Sequence, residues 1–292
     1  MGKTKIEWAT DSWNPLRARP AGMPDPEREP PRNGWYCEHV SPGCEHCYAE
    51  TMNRRLGTGL PFKPGHRKDV EVFLDEKTLL APLRWKRPRM IFACSMTDLF
   101  GEWVKDEWIE RVFAVMSVAE KHTFQVLTKR SQRMRSFMTS RRRDTVYDHM
   151  AVIRTEEGGD ISYRVPWPLP NVWLGTSAED QQRADERIPL LLDTPAAVRF
   201  VSLEPLLSGI DLSAWPKRCW LRTVGQDSVA TRAGLDWVIV GGESGHGARP
   251  MHPDWARSLR DQCAAAGVPF FMKQMAKKAP IPADLLTREH PR

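Results

Sequence analysis

The sequence has no apolar run long enough to cross a membrane, and it has no secretory signal, because residues 1–14 are polar and carry charges of both signs. It has no internal repeat at a fixed period. The stretch Gly-Gly-Glu-Ser-Gly at 241–245 lacks the Gly-Lys-Ser/Thr that closes a phosphate-binding P-loop. We therefore expect a soluble, cytoplasmic protein with no membrane partner.

The chain also has little excess charge, with a net charge of +6 over 292 residues. That excess is concentrated between Lys129 and Arg143, where seven basic residues occur without an acid. Such a segment can contact the phosphates of a nucleic acid, and the binding would then depend on salt. A solvated helix face that runs into a basic loop explains the same pattern.

Cysteine is scarce, but three of the six cysteines fall within eleven residues. Cys37, Cys44 and Cys47 have the spacing Cys-x6-Cys-x2-Cys, and the pair Pro42-Gly43 predicts a turn directly before the second one. Three thiolates on one loop can hold a metal or cluster and leave one coordination position open. The other cysteines lie in apolar stretches, are expected to be core thiols, and only the first of them lies near a candidate site: Cys94, Cys219 and Cys263.

Three interpretations of the cysteine cluster stay open from the residues alone. The first is an iron-sulfur cluster with one corner that is not a cysteine. The second is a zinc site completed by His39 or His46. In the third, the cysteines are unliganded or partly disulfide-bonded. A helix predicted from Tyr48 to Leu56 would place Cys47 near a helix N-terminus, where the dipole favours a thiolate.

Short apolar runs alternate with amphipathic stretches along the rest of the chain. The runs are typical of strands buried on both faces, as in parallel sheets, and they are Met90 to Cys94, Phe124 to Leu127, Val172 to Gly175, Val198 to Leu203, Trp237 to Val240 and Pro269 to Met272. Lys5 to Trp8 is expected to form the first strand. The alternation predicts a parallel α/β barrel or partial barrel, with a doubly wound open sheet as the alternative.

Three helices are predicted between these runs. One covers Asp106 to Lys121. A second follows Ser177, which opens a capping box with Asp180, and Pro189 should break or kink it. The third covers Trp255 to Ala266 and ends at Gly267.

Three stretches interrupt the pattern and are expected to be insertions into a single domain that covers residues 1–292. The first, 17–33, is dense in Pro, Arg and Glu and reads as a loop or flap. The others, at 143–170 and 207–235, are expected to be irregular excursions.

In a barrel, the residues that directly follow each strand line one mouth, where such folds place their active sites. Here those positions are polar, although ordinary loops also place polar residues there. Glu204 ends an apolar run, and Glu243 follows paired glycines that permit close backbone approach to a ligand or serve only a tight turn. The candidate contacts at this mouth are Ser95, Thr128, Lys129, Thr176, Ser177, Glu204, Gly241, Gly242 and Glu243.

Six motifs in order resemble a phage-associated, three-cysteine protein family of unknown function over about residues 5–274. They are Trp13-Asn14-Pro15, the Val-Ser-Pro-Gly-Cys-x-x-Cys-Tyr-Ala segment, Leu127-Thr128-Lys129-Arg130, Trp173-Leu174-Gly175-Thr176-Ser177, Ser202-Leu203-Glu204-Pro205-Leu206-Leu207 and Gly241-Gly242-Glu243-Ser244-Gly245. That family is similar to the radical S-adenosylmethionine superfamily, whose usual spacing is Cys-x3-Cys-x2-Cys. Here the first gap is three residues longer.

The resemblance implies a partial (βα)6 barrel of the TIM-like kind and an enzyme in which Cys37, Cys44 and Cys47 ligate a [4Fe-4S] cluster. The amino and carboxylate groups of S-adenosylmethionine would take the fourth position, with Tyr48 near the adenine. Reduction by an electron donor would then cleave this cofactor to a 5′-deoxyadenosyl radical. The polar residues of the strand ends are the candidate cofactor or substrate contacts.

A nucleic acid is the substrate expected first, because the basic segment 129–143 and the phage resemblance both allow modification or repair of one. The alternative is a non-enzymatic binding protein in which zinc stabilises the three cysteines and the basic segment contacts DNA. An iron-sulfur protein that no longer cleaves the cofactor, and acts as a redox or interaction partner, is a third hypothesis.

Overall fold

The computed structural model describes residues 4, 6–22, 33–156, 165–215, 223–224, 227–228, 234–245 and 247–291. Seven strands form one sheet in the order β1-β4-β5-β6-β7-β10-β11. They are β1 Asp11–Trp13, β4 Met90–Ala93, β5 Thr123–Thr128, β6 Val172–Ser177, β7 Val198–Leu203, β10 Trp237–Gly241 and β11 Phe270–Gln274. Two antiparallel pairs stand apart, β2 Leu16–Pro20 with β3 Val70–Leu74 and β8 Thr223–Val224 with β9 Asp227–Ser228.

The strands of the large sheet follow one another in chain order, and the pairs β1–β4, β4–β5, β6–β7, β7–β10 and β10–β11 are parallel. A doubly wound sheet reverses its strand order at a switch point, and this order has no reversal. The chain is therefore a mixed α/β protein with a parallel sheet, and the doubly wound alternative is wrong.

Seven helices accompany these strands in the described part of the chain. They are α1 Tyr48–Leu56, α2 Glu76–Leu79, α3 Asp106–Val118, α4 Ser131–Thr139, α5 Arg142–Glu156, α6 Gln181–Leu192 and α7 Pro253–Ala266. Within this described part, no helix combines the length and the apolar content that a membrane span needs.

The predicted helices over 48–56 and 255–266 are confirmed, and Gly267 ends the second in the left-handed conformation at φ +62°. The helix at 106 ends at Val118, three residues earlier than predicted. The capping prediction at Ser177 was wrong, because Asp180 accepts from the Arg183 N–H at 2.9 Å and α6 begins one residue later. Pro189 lies within α6 and does not end it.

The predicted first strand was misplaced. Lys5 lies outside the described residues, and Glu7 and Trp8 form a turn before β1 begins at Asp11. Trp8 is buried against the Phe92 ring, with centroids 4.6 Å apart. The apolar Trp8 side chain therefore packs into the core from a turn and not from a strand.

Two predicted insertions contain regular structure. Residues 17–20 belong to β2, whose partner β3 lies fifty residues away in sequence. Residues 143–156 belong to α5, which packs on α3. Residues 23–32, 157–164 and most of 216–233 lie outside the described residues. The single domain with insertions stays a prediction.

Backbone contacts divide the chain into two compact units. The first contains Met1–Leu127 and Ser140–Val172, with strands β1, β4 and β5 and the three clustered cysteines. The second contains Thr128–Thr139 and Trp173–Arg292, with β6, β7, β10 and β11.

Candidate functional site

The three clustered cysteines form no disulfide and lie on a segment that we call the cysteine loop, residues 34–47 of the first unit. All three are partly exposed, whereas Cys94 and Cys263 are buried. Cys44 ends a short 3-10 turn, and the Cys47 N–H donates to its carbonyl at 3.3 Å. The third cysteine is the N-cap of α1, as the sequence predicts. Cys219 lies outside the described residues.

Two of the three cysteines pack against the same apolar cluster. Cys37 and Cys47 both pack against a small cluster formed by Ala49, Phe62 and Met96. Nevertheless, among the residues the structure describes, no three His, Cys, Asp or Glu side chains lie close enough together to hold a metal ion. The structure therefore brings the cysteines into one neighbourhood without forming a finished ligand set.

The cysteine loop is attached to the turn that follows β4. The Tyr48 hydroxyl, directly after the last cysteine, donates to the Ser95 carbonyl at 2.5 Å, while its ring stays 46% exposed. Asn14, at the end of β1, donates to the Ser95 hydroxyl at 3.1 Å. The Thr97 hydroxyl donates to the Tyr36 carbonyl inside the loop. Two predicted contacts, Tyr48 and Ser95, are thus brought together beside Cys47.

Cys94 begins this turn in the left-handed region at φ +57°, which is uncommon for a residue with a side chain. Its N–H donates to the Trp13 carbonyl at 2.8 Å and its carbonyl accepts from Thr97 at 3.1 Å. Burial raises the pKa of the Cys94 thiol. The residue shapes the turn under Ser95 and is a core thiol, as predicted.

Asn53 of α1 joins the start of the cysteine loop to the segment that follows α1, and it was not predicted from the sequence. Its side chain is buried and accepts from the Trp35 N–H at 2.9 Å and the Thr58 N–H at 3.2 Å. Its amide donates to the Thr58 hydroxyl and to the Leu60 carbonyl. Asparagine followed by polar helix residues carries no sequence signal for such a role.

His39, between the first two cysteines, is held by a carboxylate from α1. Its Nε2 lies 2.6 Å from Glu50 Oε2, and the other oxygen of that carboxylate binds Arg54 at 3.0 Å. His46 is exposed. One of the two histidines named for a zinc site is therefore oriented by a buried partner.

In the second unit, the ends of β5 and β6 are joined by hydroxyl groups. The Thr176 hydroxyl donates to the Thr128 carbonyl at 3.0 Å and lies 2.7 Å from the Ser131 hydroxyl. The Ser177 side chain is 6% exposed, and its hydroxyl has no hydrogen-bond partner in the described part of the chain. The predicted contacts Thr128 and Thr176 therefore meet through the Thr128 carbonyl and the Thr176 hydroxyl, while the Thr128 hydroxyl accepts from the Arg130 N–H at 2.9 Å.

Lys129 binds a fully buried carboxylate that the sequence analysis did not select. Glu179 has 0% exposure, and its Oε2 accepts from the Lys129 ammonium at 3.4 Å and from Arg187 at 3.2 Å. Arg187 also donates to the Ser177 carbonyl at 2.8 Å. The sequence signal for this group is an acid two residues after a strand end together with a basic residue nearly two helical turns into α6.

Glu204 and Lys273 form an ion pair at the ends of β7 and β11. The ammonium lies 2.7 Å from Glu204 Oε1, and the Ser202 hydroxyl donates to Oε2 at 2.9 Å. A Cβ on Gly241 would sit 2.7 Å from the same carboxylate, and one on Gly242 would collide with the Ala276 backbone. Both glycines are therefore required by packing, and Gly241 makes room for Glu204.

The carboxylate of Glu243, the last predicted contact, binds a residue of its own loop. Its carboxylate accepts from the Arg249 backbone N–H at 2.7 Å and from the Arg249 guanidinium, and its side chain is 5% exposed. This buried pair closes the segment between β10 and α7. A role in binding a ligand stays a prediction for Glu243.

The basic segment 129–143 is largely paired within the protein. Lys129 binds Glu179, Arg135 lies 3.6 Å from Asp193, and Arg143 lies 3.5 Å from Asp144. Arg142 binds Asp106 and Glu110 of α3, each at 2.6 Å. Except for Asp144, these acids come from distant parts of the sequence. The net positive charge of the folded surface is therefore smaller than the sequence of the segment alone suggests.

The chain matches the model of a family described as "Protein of unknown function (DUF5131)" over residues 30–287. The chain belongs to this family. The matched residues include the whole cysteine loop and all the candidate contact residues named above. No curated protein and no solved structure matches the chain.

Proposed function

We propose that this protein is a radical S-adenosylmethionine-like enzyme whose Cys37, Cys44 and Cys47 hold a [4Fe-4S] cluster. The observation that carries the proposal is the contrast among its thiols. These three are partly exposed on one anchored loop, whereas Cys94 and Cys263 are buried. Three cysteine ligands leave one iron open for a small-molecule cofactor.

The chemistry of the donor set fits such a cluster. None of the three thiols forms a disulfide, two of them pack on one apolar cluster, and the third lies one turn from Cys47. Binding would need the three side chains to turn toward one point, because the described structure holds them apart. A bound cluster would supply one electron for reductive cleavage of S-adenosylmethionine.

The residues of the first unit suit a cofactor bound beside the cysteine loop. The exposed Tyr48 ring is fixed by its hydroxyl and offers a flat face for an adenine. Ser95 is held by Asn14 at the base of that ring. In the second unit, the proposed contacts are Thr128, Lys129, Thr176, Ser177, Glu204, Gly241, Gly242 and Glu243.

A partial TIM-like barrel and a phage-associated nucleic-acid substrate belong to the same proposal. The chain-order arrangement of parallel strands is the order found in such barrels. For the substrate, the supporting feature is Arg141, which is exposed within the basic segment.

Anaerobic reconstitution followed by iron and sulfide analysis tests the cluster directly. We expect about four irons per chain and dithionite-dependent formation of 5′-deoxyadenosine. Cys44→Ala should lose the cluster, whereas Cys263→Ala, which removes a buried thiol, should keep it and serves as the matched control. Full iron content in the Cys44 variant would contradict the proposed ligand set.

A zinc-stabilised, non-enzymatic nucleic-acid-binding protein is the second candidate, and the His39–Glu50 pair favours it. Zinc-bound histidines commonly give their second ring nitrogen to a carboxylate, as His39 does here. One zinc per chain, lost in His39→Ala, together with no cofactor cleavage would support this candidate over the first.

A further inference from the structure

The sheet face of the second unit changes from aromatic to polar along its strands. The rings of Trp173, Phe200 and Phe271 pack around Trp237, with centroids 5.8 to 6.0 Å apart. Side chains on one strand face repeat every second residue, so the same face carries polar groups farther along. These are Ser177, Ser202, Glu204 and Lys273, with Gly241 between them.

The ion pair on this face is partly exposed, and its atoms can make further hydrogen bonds. The side chains of Lys273 and Glu204 are 19% and 13% exposed. An ammonium has three donors, and Glu204 is the one carboxylate that Lys273 contacts within the described residues. Each oxygen of Glu204 accepts a single bond, from Lys273 or from Ser202. The Ser177 hydroxyl has none, and its strand pairs in register with Ser202.

We propose that Glu204 and Lys273 form a subsite for the zwitterion of an α-amino acid. The ammonium of such a ligand would bind Glu204, and its carboxylate would bind Lys273. A zwitterion satisfies both charges without adding net charge to a partly buried site, whereas a singly charged ligand would leave one protein charge uncompensated.

A free amino acid and the amino-acid end of S-adenosylmethionine carry the same chemistry. The subsite does not need an iron-sulfur cluster, because its residues lie in the second unit and the cysteine loop in the first. Zwitterion binding and cluster binding are therefore separable by experiment.

Calorimetric titration of the full-length protein with the proteinogenic amino acids and with S-adenosylmethionine tests the subsite. We expect at least one of these zwitterions to bind and its affinity to fall at least about tenfold when the ammonium or the carboxylate is removed from the ligand. Binding of amino acids alone or of S-adenosylmethionine alone identifies the source, and both support the proposal. Absence of binding by all of them, or equal binding by the singly charged analogues, would overturn it.

Protein variants assign the binding to these residues. Lys273→Met and Glu204→Gln keep the side-chain size and should each weaken binding at least about tenfold. Lys278→Ala, an exposed lysine five residues away, is the matched control. A chain with Cys37, Cys44 and Cys47 all changed to alanine should bind the zwitterion unchanged. Unaltered affinity in either Lys273→Met or Glu204→Gln would refute the assignment.

Discussion

The cysteine loop and the Glu204–Lys273 face differ in which groups the fold pairs. In the loop, Asn53, Glu50 and Ser95 hold the supporting polar groups, and the three cysteines are partly exposed and form no disulfide. On the sheet face, the charged groups are already paired with each other. The first arrangement suits an added metal group, and the second suits a ligand that exchanges partners with an existing ion pair.

Thiol labelling should give the largest difference and tests the first half of this comparison. Burial raises the pKa of Cys263 to about 12, above the ordinary 9.0. At pH 8 its reactive thiolate is therefore about a thousandfold less populated than that of an ordinary thiol. We expect iodoacetamide to modify Cys37, Cys44 and Cys47 first in the metal-free protein, with Cys263 and Cys94 protected.

Peptide mass spectrometry over time measures each site separately. Labelling in urea is the control, since unfolding should make all the cysteines react at similar rates. Equal rates in the folded protein would contradict the contrast on which the proposed cluster rests.

Removing the support beneath the cysteine loop should give the largest loss of stability. Asn53→Ala leaves the N–H groups of Trp35 and Thr58 and the Leu60 carbonyl without their side-chain partner. We expect the free energy of unfolding to fall by about 3 kcal/mol in urea denaturation. Thr51→Ala on the exposed side of the same helix should change it by less than about 0.5 kcal/mol. A loss below about 1 kcal/mol for Asn53→Ala would mean that the loop is held mainly elsewhere.

Three glycines near the second site offer a graded test of the packing around it. Gly242→Ala should cost about 2–3 kcal/mol, because the new methyl group meets the Ala276 backbone. Gly241→Ala should cost about 1 kcal/mol, since the Glu204 side chain can shift. Gly245→Ala is the control, because it meets nothing within 4 Å.

Urea denaturation of the three variants gives the order of these costs. If Gly241→Ala proves as costly as Gly242→Ala, the Glu204 carboxylate is more rigid than a partner-exchanging site requires. That result would weaken the second half of the comparison.

Patterns local in sequence predicted much of this fold. Six of the seven strands of the large sheet overlap the predicted apolar runs, because buried parallel strands need continuous apolar residues. The helices at α1 and α7 were predicted from periodicity and from Gly267. The antiparallel strand β2 was missed, because its partner β3 lies fifty residues away and its own sequence is basic and proline-containing.

The candidate sites were predicted less completely, for the same physical reason. The cysteines are close in sequence, so their spacing is visible. Lys273 was recognised only as a strand-end residue, and its pairing with Glu204 was not predicted, because the two strands lie nearly seventy residues apart. The buried positions of Asn53 and Glu179 are likewise set by tertiary packing.

The basic segment provides the smallest and most selective test. Arg142→Ala breaks the contacts with Asp106 and Glu110, but the guanidinium is 40% exposed, so we expect a loss of about 1 kcal/mol that shrinks at high salt. Arg141 is exposed beside it with no ion pair in the described part of the chain, and Arg141→Ala should leave stability unchanged.

Nucleic-acid binding should rank these two variants in the opposite order. If the segment contacts phosphates, Arg141→Ala should weaken binding of a DNA or RNA oligonucleotide and lower the salt slope by about 1, because one fewer counterion is released. Arg142→Ala should weaken that binding less, because Asp106 and Glu110 already neutralise its charge. Binding by filter retention at several salt concentrations measures both. If neither variant changes the salt dependence of binding, the basic segment does not contact phosphates. Its ion pairs then serve only the stability of the fold.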